Sequence, residues 1–242
     1  MPASGGADSI TDQSVINMSH LPRQRRKEAR PQELLEAALA LFVEKGFAAT
    51  RTEEVAARAG VSKGTLYLYF PSKEELLKAV IRHTLSADIA AGAAMAAQHT
   101  GSASELLVEV MAQWWSKLVN SPASGVFKLV ITEVRNFPEI AQFYNEEVVL
   151  PGTAIIQQLV RRGVEAGEFR AVDETLVTHS IVLPMVMLCL HKHSLGVCQP
   201  AELALQNAEL FIRHHMALLL HGLRLPSEDG TAPPLPSCLF DA

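Results

Sequence analysis

Lys63, Thr65, Tyr67 and Tyr69 share one short segment, with Gly64 and Leu68 between them and Ser62 just before. The chemistry they offer is recognition. An ammonium and a hydroxyl at the start of a helix can bond base edges, and two phenol hydroxyls on stiff rings can reach phosphate oxygens. Gly64 carries no side chain, so a nucleic-acid strand can approach the backbone there. The plainer reading makes Tyr67 and Tyr69 packing residues and Lys63 a solvated lysine.

Such residues need a support that points them outward. In the stretch Ala56-Ala-Arg-Ala-Gly-Val-Ser-Lys-Gly-Thr-Leu-Tyr-Leu-Tyr-Phe70, Gly60 stands where one helix must stop and reverse, a place for the left-handed conformation that glycine takes without penalty. Ser62 can cap the helix that follows. Two helices joined this way form a helix-turn-helix, whose second helix enters the major groove of DNA. The pattern predicts a first helix over Gln32–Lys45 with Pro31 near its first turn, a second over Thr52–Ala59 and a third over Lys63–Phe70. A fourth starts at Ser72 and runs toward Ala97. Thr50 with Glu53, and Ser72 with Glu75, have capping-box spacing. Lys73 and the free N–H groups opening the fourth helix suit a phosphate. Arg23, Arg25, Arg26, Lys27 and Arg30 form a basic arm, either a solvated charge run or a segment lying along phosphates or in a minor groove.

Charge follows the same division. The whole chain of 242 residues has net charge −5, yet residues 19–78 carry 11 Lys and Arg against 8 Asp and Glu. Residues 79–242 carry 10 against 16. A basic head on an acidic body is what a DNA-binding regulator shows. Ala and Leu runs with little β-branched alternation predict an all-α fold. Three cysteines (Cys189, Cys198, Cys238) give no disulfide framework and point to the reducing cytoplasm. No apolar stretch is expected to reach the ~20 residues that span a bilayer.

The expected organisation is a disordered, basic arm over 1–27, a helix-turn-helix head over 28–78, a helical body over 79–225 and a flexible tail over 226–242. Body helices are predicted near Ser104–Asn120, Gly125–Asn136, Glu139–Ala166, Glu174–Ser194 and Ala201–Leu223, with kinks or breaks at Pro151 and Pro184. Ala204, Ala208, Phe211, His215 and Leu218 recur at three- and four-residue spacing, and Leu183 and Leu190 stand seven residues apart on the preceding helix. These are seams for a dimer interface or for ordinary core packing. Trp115, Phe127, Ile131, Phe143, Tyr144 and Met185 suit the lining of an apolar ligand pocket, and equally the filling of a core. His191, His193, His214 and His215 lack the spacing of a metal site, and no metal or cofactor is expected. Cys189 and Cys198 read as buried thiols before redox sensors. Neither a nucleophile elbow nor a phosphate-binding glycine loop is present, so no enzyme is expected.

The stretch from Thr52 through Gly60-Val-Ser-Lys-Gly-Thr-Leu-Tyr-Leu-Tyr-Phe-Pro-Ser-Lys-Glu-Glu-Leu76, with Leu41, Phe42, Lys45, Gly46 and Phe47 ending the first helix, resembles the head of the tetracycline-repressor-like (TetR/AcrR) family. The resemblance covers about residues 28–80. It implies a homodimeric repressor that sets its third helix in the major groove of a palindromic double-stranded operator. A small apolar or amphipathic inducer in the body would move the fourth helix and spread the heads. The family's DNA contacts map onto Thr52, Ser62, Lys63, Gly64, Thr65, Tyr67, Tyr69 and Lys73. Leu68 departs from the polar or aromatic residue frequent there, and can touch a thymine methyl. The segment from Leu129 to Ala141 resembles one found in a subset associated with efflux-pump control, which makes efflux or detoxification genes the expected targets. The rival expectation is a helical ligand- or partner-binding dimer that no longer binds DNA productively.

Overall fold

The computed structural model describes residues 23–133, 135–194, 196 and 207–224. The expected tail over 226–242, together with Ala204, Cys198 and Cys238, lies outside them. All regular structure among the described residues is helical; the only β pairing is an isolated bridge between Phe169 and Arg224.

Helix α1 (Arg23–Lys45) begins earlier than its sequence suggests and carries Pro31 inside it. Residues 23–27, expected as a disordered arm, are therefore helical, and the missing Pro31 N–H is tolerated within the helix. Gly46 (φ 88°) ends α1, and Phe47 folds back to meet Phe42 edge-on at 5.3 Å. Helix α2 (Thr52–Arg58) opens one residue later than the predicted capping box: the Arg51 N–H donates to Glu54 Oε2 at 3.1 Å. Thr50 does not cap. Its buried hydroxyl bridges the turn, reaching Gly46 O at 2.7 Å and Leu41 O at 3.2 Å.

Gly60 (φ 67°) makes the reversal into α3 (Lys63–Tyr69), and Ser62 Oγ caps it by accepting from the Thr65 N–H at 3.1 Å. Seven residues are too few for a helix that stands alone in water. What holds α3 is Leu66, fully buried, worth about 1.5–3 kcal/mol of burial. Helix α4 (Lys73–Ile81) starts at Ser72, whose Oγ accepts from the Glu75 N–H. It passes through a π-helical turn (Arg82–Ser86) into α5 (Ala87–Gln98).

The body follows with α6 (Ala103–Val110), a π-helical turn (Met111–Trp115), α7 (Ser116–Asn120), a single 3-10 turn (Pro122–Ser124) and α8 (Gly125–Glu133). Then come α9 (Pro138–Tyr144), a third π-helical turn (Asn145–Val149), α10 (Leu150–Glu165), α11 (Glu174–His193) and α12 (Ala208–Leu223). Helix α10 packs against α5, α6 and α11, α11 against α8 and α12, and α1 against both α4 and α8. The predicted break at Pro151 takes the form of the π turn just before it, which relieves the clash of the proline ring with the preceding turn. Pro184 instead lies within α11.

One expectation is corrected by α11. At 20 residues it is long and apolar enough to cross a membrane. Here it is a packed helix of the body: Thr178, Ile181, Met185, Leu188 and Cys189 are buried, and Lys192 Nζ donates to Val119 O.

Candidate nucleic-acid interface and body cavity

Helix α3 turns one face inward through Leu66 and the other to solvent. Leu68 is 85% exposed, Tyr67 is exposed, and Lys63 and Gly64 lie on the same open surface. An apolar side chain so fully in water has no folding role. Thr65 is half-buried, with its hydroxyl 2.9 Å from that of Ser62. A Cβ placed on Gly64 would meet only Ser62 Oγ, at an ordinary 3.8 Å, so the fold itself does not require glycine there.

Two contacts organise this face. Thr52 is buried, and its hydroxyl bonds the Tyr67 hydroxyl at 3.0 Å, fixing the ring from α2. Lys63 Nζ pairs with Glu53 Oε1 and lies 5.8 Å from the Tyr67 ring centre. The hydrogen bond with Lys63 is the main cause that lowers the Glu53 pKa, and the same bond raises that of Lys63. The sequence pattern gives Glu53 to a capping box with Thr50; in the structure that box is closed by Glu54, and Glu53, in the first turn of α2, pairs with Lys63 instead.

Lys73 requires a correction. Its three N–H donors reach the carbonyls of Phe47, Ala48 and Thr50 at 2.9, 3.2 and 3.1 Å, and Nζ lies 4.5 Å from the Phe47 ring centre. With every donor taken, Lys73 ties the α1–α2 turn to α4 and leaves nothing for a phosphate. Tyr69 is half-buried against the core. Arg30 borders a groove of about 250 Å³ with Glu33 and the turn Ala59–Gly60–Val61, and Arg26 lies four residues earlier on α1.

In the body, an apolar cavity of about 240 Å³ lies between α5, α8, α10 and α11. Trp115, Phe127, Ile131 and Tyr144 line it; Phe143 and Met185 do not. Met185 is fully buried elsewhere in the core. Phe143 faces the head, 4.6 Å from the Arg82 guanidinium and 5.8 Å from Lys78 Nζ. The π turn Asn145–Val149 thus has two sides. Val148 and Val149 line the cavity, while Glu147 holds Arg82, at the end of α4, at 3.2 Å.

Comparison with known proteins settles the family. The profile described as bacterial regulatory proteins, tetR family, matches residues 34–80, and that of the tetracyclin repressor-like C-terminal domain matches 97–196. An uncharacterized HTH-type transcriptional regulator, YfiR of Bacillus subtilis, is 30% identical over 159 residues, covering 64% of this chain and 76% of its own. The chain belongs to the TetR family. Two solved regulators share the fold. FadR of Bacillus halodurans superposes with TM-score 0.67 at 22% identity, over 81% of this chain and 96% of its own. FadR of Bacillus subtilis, in complex with stearoyl-CoA, superposes with TM-score 0.64 at 20% identity, over 79% and 98%. This TetR-family chain is accordingly a DNA-binding transcriptional regulator and not an enzyme.

The remaining sequence-selected residues of this TetR-family body separate by exposure. Leu183 and Leu218 are 61% and 74% exposed, and Leu176, Met187 and Leu210 join them on the outer surfaces of α11 and α12. Phe211, His215 and Leu190 are half-buried, the first two with stacked rings 6.0 Å apart. Ala208 is buried in its own chain and contributes to no outer face. Cys189 is buried, and burial pushes its thiol up to about 12, only partly offset by Lys192, so it is no ready nucleophile. Of His191, His193, His214 and His215, three are engaged separately: His193 Nε2 with Ser124 Oγ at 2.7 Å, His214 Nδ1 with Leu210 O, and His215 Nε2 with Ser180 O.

Proposed function

We propose that this regulator is a homodimeric repressor that binds a palindromic operator and releases it when a small molecule occupies the body cavity. The observation that carries the reading is the outward face of α3. Leu68, Tyr67, Lys63 and Gly64 stand in solvent on a helix whose buried side is secured by Leu66. One such helix reads few base pairs, so two heads on half-sites about one helical turn apart are required for specificity.

The dimer reading is supported by the exposed apolar residues Leu176, Leu183, Met187, Leu210 and Leu218 on α11 and α12, a surface suited to the same helices of a second copy. Release is proposed to run through the third π turn. A ligand pressing Val148 and Val149 displaces Glu147 and Phe143, which grip Arg82, and α4 carries that movement to the head. The solved relative bound to stearoyl-CoA supports a body of this kind taking a small molecule. Efflux or detoxification genes are the proposed targets, and the cytoplasm the proposed location.

The test is binding to duplexes from the neighbouring promoter. Tight binding that weakens steeply with salt is expected, and Lys63→Ala should reduce both base discrimination and the salt slope. Unchanged operator binding by Lys63→Ala and Leu68→Ala together would overturn the assigned face. Sedimentation of Leu183→Glu/Leu218→Glu tests the dimer; the expected species is a monomer.

A further inference from the structure

The cavity wall holds both tryptophans of the chain, Trp114 and Trp115. Trp115 is 3% exposed, and the indole nitrogens of both are buried without an acceptor among the described residues. The rings meet edge to face at 4.7 Å and 83°. That geometry offers one N–H a π face at best and leaves the other donor open. A buried donor left unmade is costly, and each such group in a native fold calls for a partner.

The rest of the lining is selective in what it lacks. Among the described residues, no charged side chain borders the cavity. The Thr153 hydroxyl is directed at the Val149 carbonyl, at 2.7 Å. Tyr144 brings a phenol, and burial raises its pKa, so it stays protonated and able to donate. The two indole N–H groups can only donate, the Tyr144 hydroxyl can donate or accept, and the Thr153 oxygen, its proton turned to the backbone, presents lone pairs alone. A carboxylate or an ammonium would lose its water here and find no counter-charge.

We propose that the cavity takes a small neutral, largely apolar molecule bearing an acceptor oxygen, of the ketone, ester or lactone class, held by the Trp115 indole N–H and the Tyr144 hydroxyl. This rests on the cavity being the effector site. It adds which chemistry that site accepts and which it rejects.

The experiment uses the full chain and its own tryptophan emission, since both fluorophores stand in the wall. Four probes of one chain length are titrated: a medium-chain methyl ketone, the matching alkane, the matching fatty-acid anion and the matching alkyltrimethylammonium. Displacement of the neutral dye N-phenyl-1-naphthylamine gives a second readout. The ketone should bind tightest and the two ions at least about tenfold more weakly. Trp115→Phe and Tyr144→Phe should each weaken the ketone about fivefold and leave the alkane unchanged; Tyr144→Phe, which removes only an oxygen, serves if Trp115→Phe folds poorly. Ions that bind as well as the ketone, or variants that weaken ketone and alkane alike, overturn the ligand class while leaving the effector site in place. A series in which no probe changes the emission or displaces the dye overturns the effector site itself.

Discussion

His215 Nε2 donates to the main-chain carbonyl of Ser180 at 3.0 Å, joining α12 to α11. Ser180 lies four residues before Pro184, which has no N–H to return to that carbonyl. The imidazole supplies from another helix the donor that the proline lacks. His215→Phe should therefore cost about 1 kcal/mol, a fall in Tm of about 2–4 °C. In a Pro184→Ala background, where the backbone serves Ser180 again, the same change should cost much less. Thermal melts of the four proteins measure that coupling.

Gly64 is not required by the fold, and glycine within a helix costs about 0.5–1 kcal/mol against alanine. Gly64→Ala should raise Tm by a few degrees and weaken operator binding at least tenfold, because the added methyl stands on the surface that meets DNA. Melting and gel-shift titration of one preparation read both effects.

Glu53 holds Lys63 and places a negative charge beside the DNA-facing surface. Glu53→Gln should free the lysine and tighten operator binding several-fold at low salt, with the gain shrinking as salt rises. Fluorescence anisotropy across a salt series checks this.

Lys73, with its donors on three carbonyls of the α1–α2 turn, is a stability residue. Lys73→Met should lower Tm by about 4–8 °C, from a loss of about 2 kcal/mol, and leave the slope of affinity against salt unchanged. A slope lowered by about one would return Lys73 to the phosphate contacts.

Burial, with Lys192 and Lys128 nearby, holds the His193 pKa below its usual value. The unfolded chain then takes up the proton more readily than the folded one. Stability should fall as pH drops below about 6.5 and level off above it. His193→Gln should flatten that part of the Tm-against-pH curve, measured between pH 5 and 8.

The head was legible because its signals are local. Gly60, Ser62 and Leu66 set turn, cap and buried side within a few residues, and the structure shows all three in those places. Lys73 was misread because its partners lie more than twenty residues away, and a long flexible side chain leaves no local trace of where it folds back. Phe143 and Tyr144 show why the cavity was only half readable: neighbours on a helix point in different directions, so one grips Arg82 and the other reaches the cavity. The cavity residues missed altogether, among them Ile89, Gly152, Ile156 and Val182, have the side chains of any helical core. The start of α1 was missed because Pro31 signals a boundary that the helix runs through.

Gly125, at the start of α8, lies so near Val43 of α1 that a methyl group there would collide with the valine side chain, and Phe47 meets Phe137 of the body at 4.9 Å. The head is thus seated on the body along a fitted seam and does not dangle from α4 alone. An excised head would bring Val43 and Phe47 into water, and a chimera that borrowed a relative's head without its matching seat at Gly125 and Phe137 would hold it askew. Exchange of operator specificity between relatives should succeed by replacing the outer residues of α3 while leaving this seat untouched.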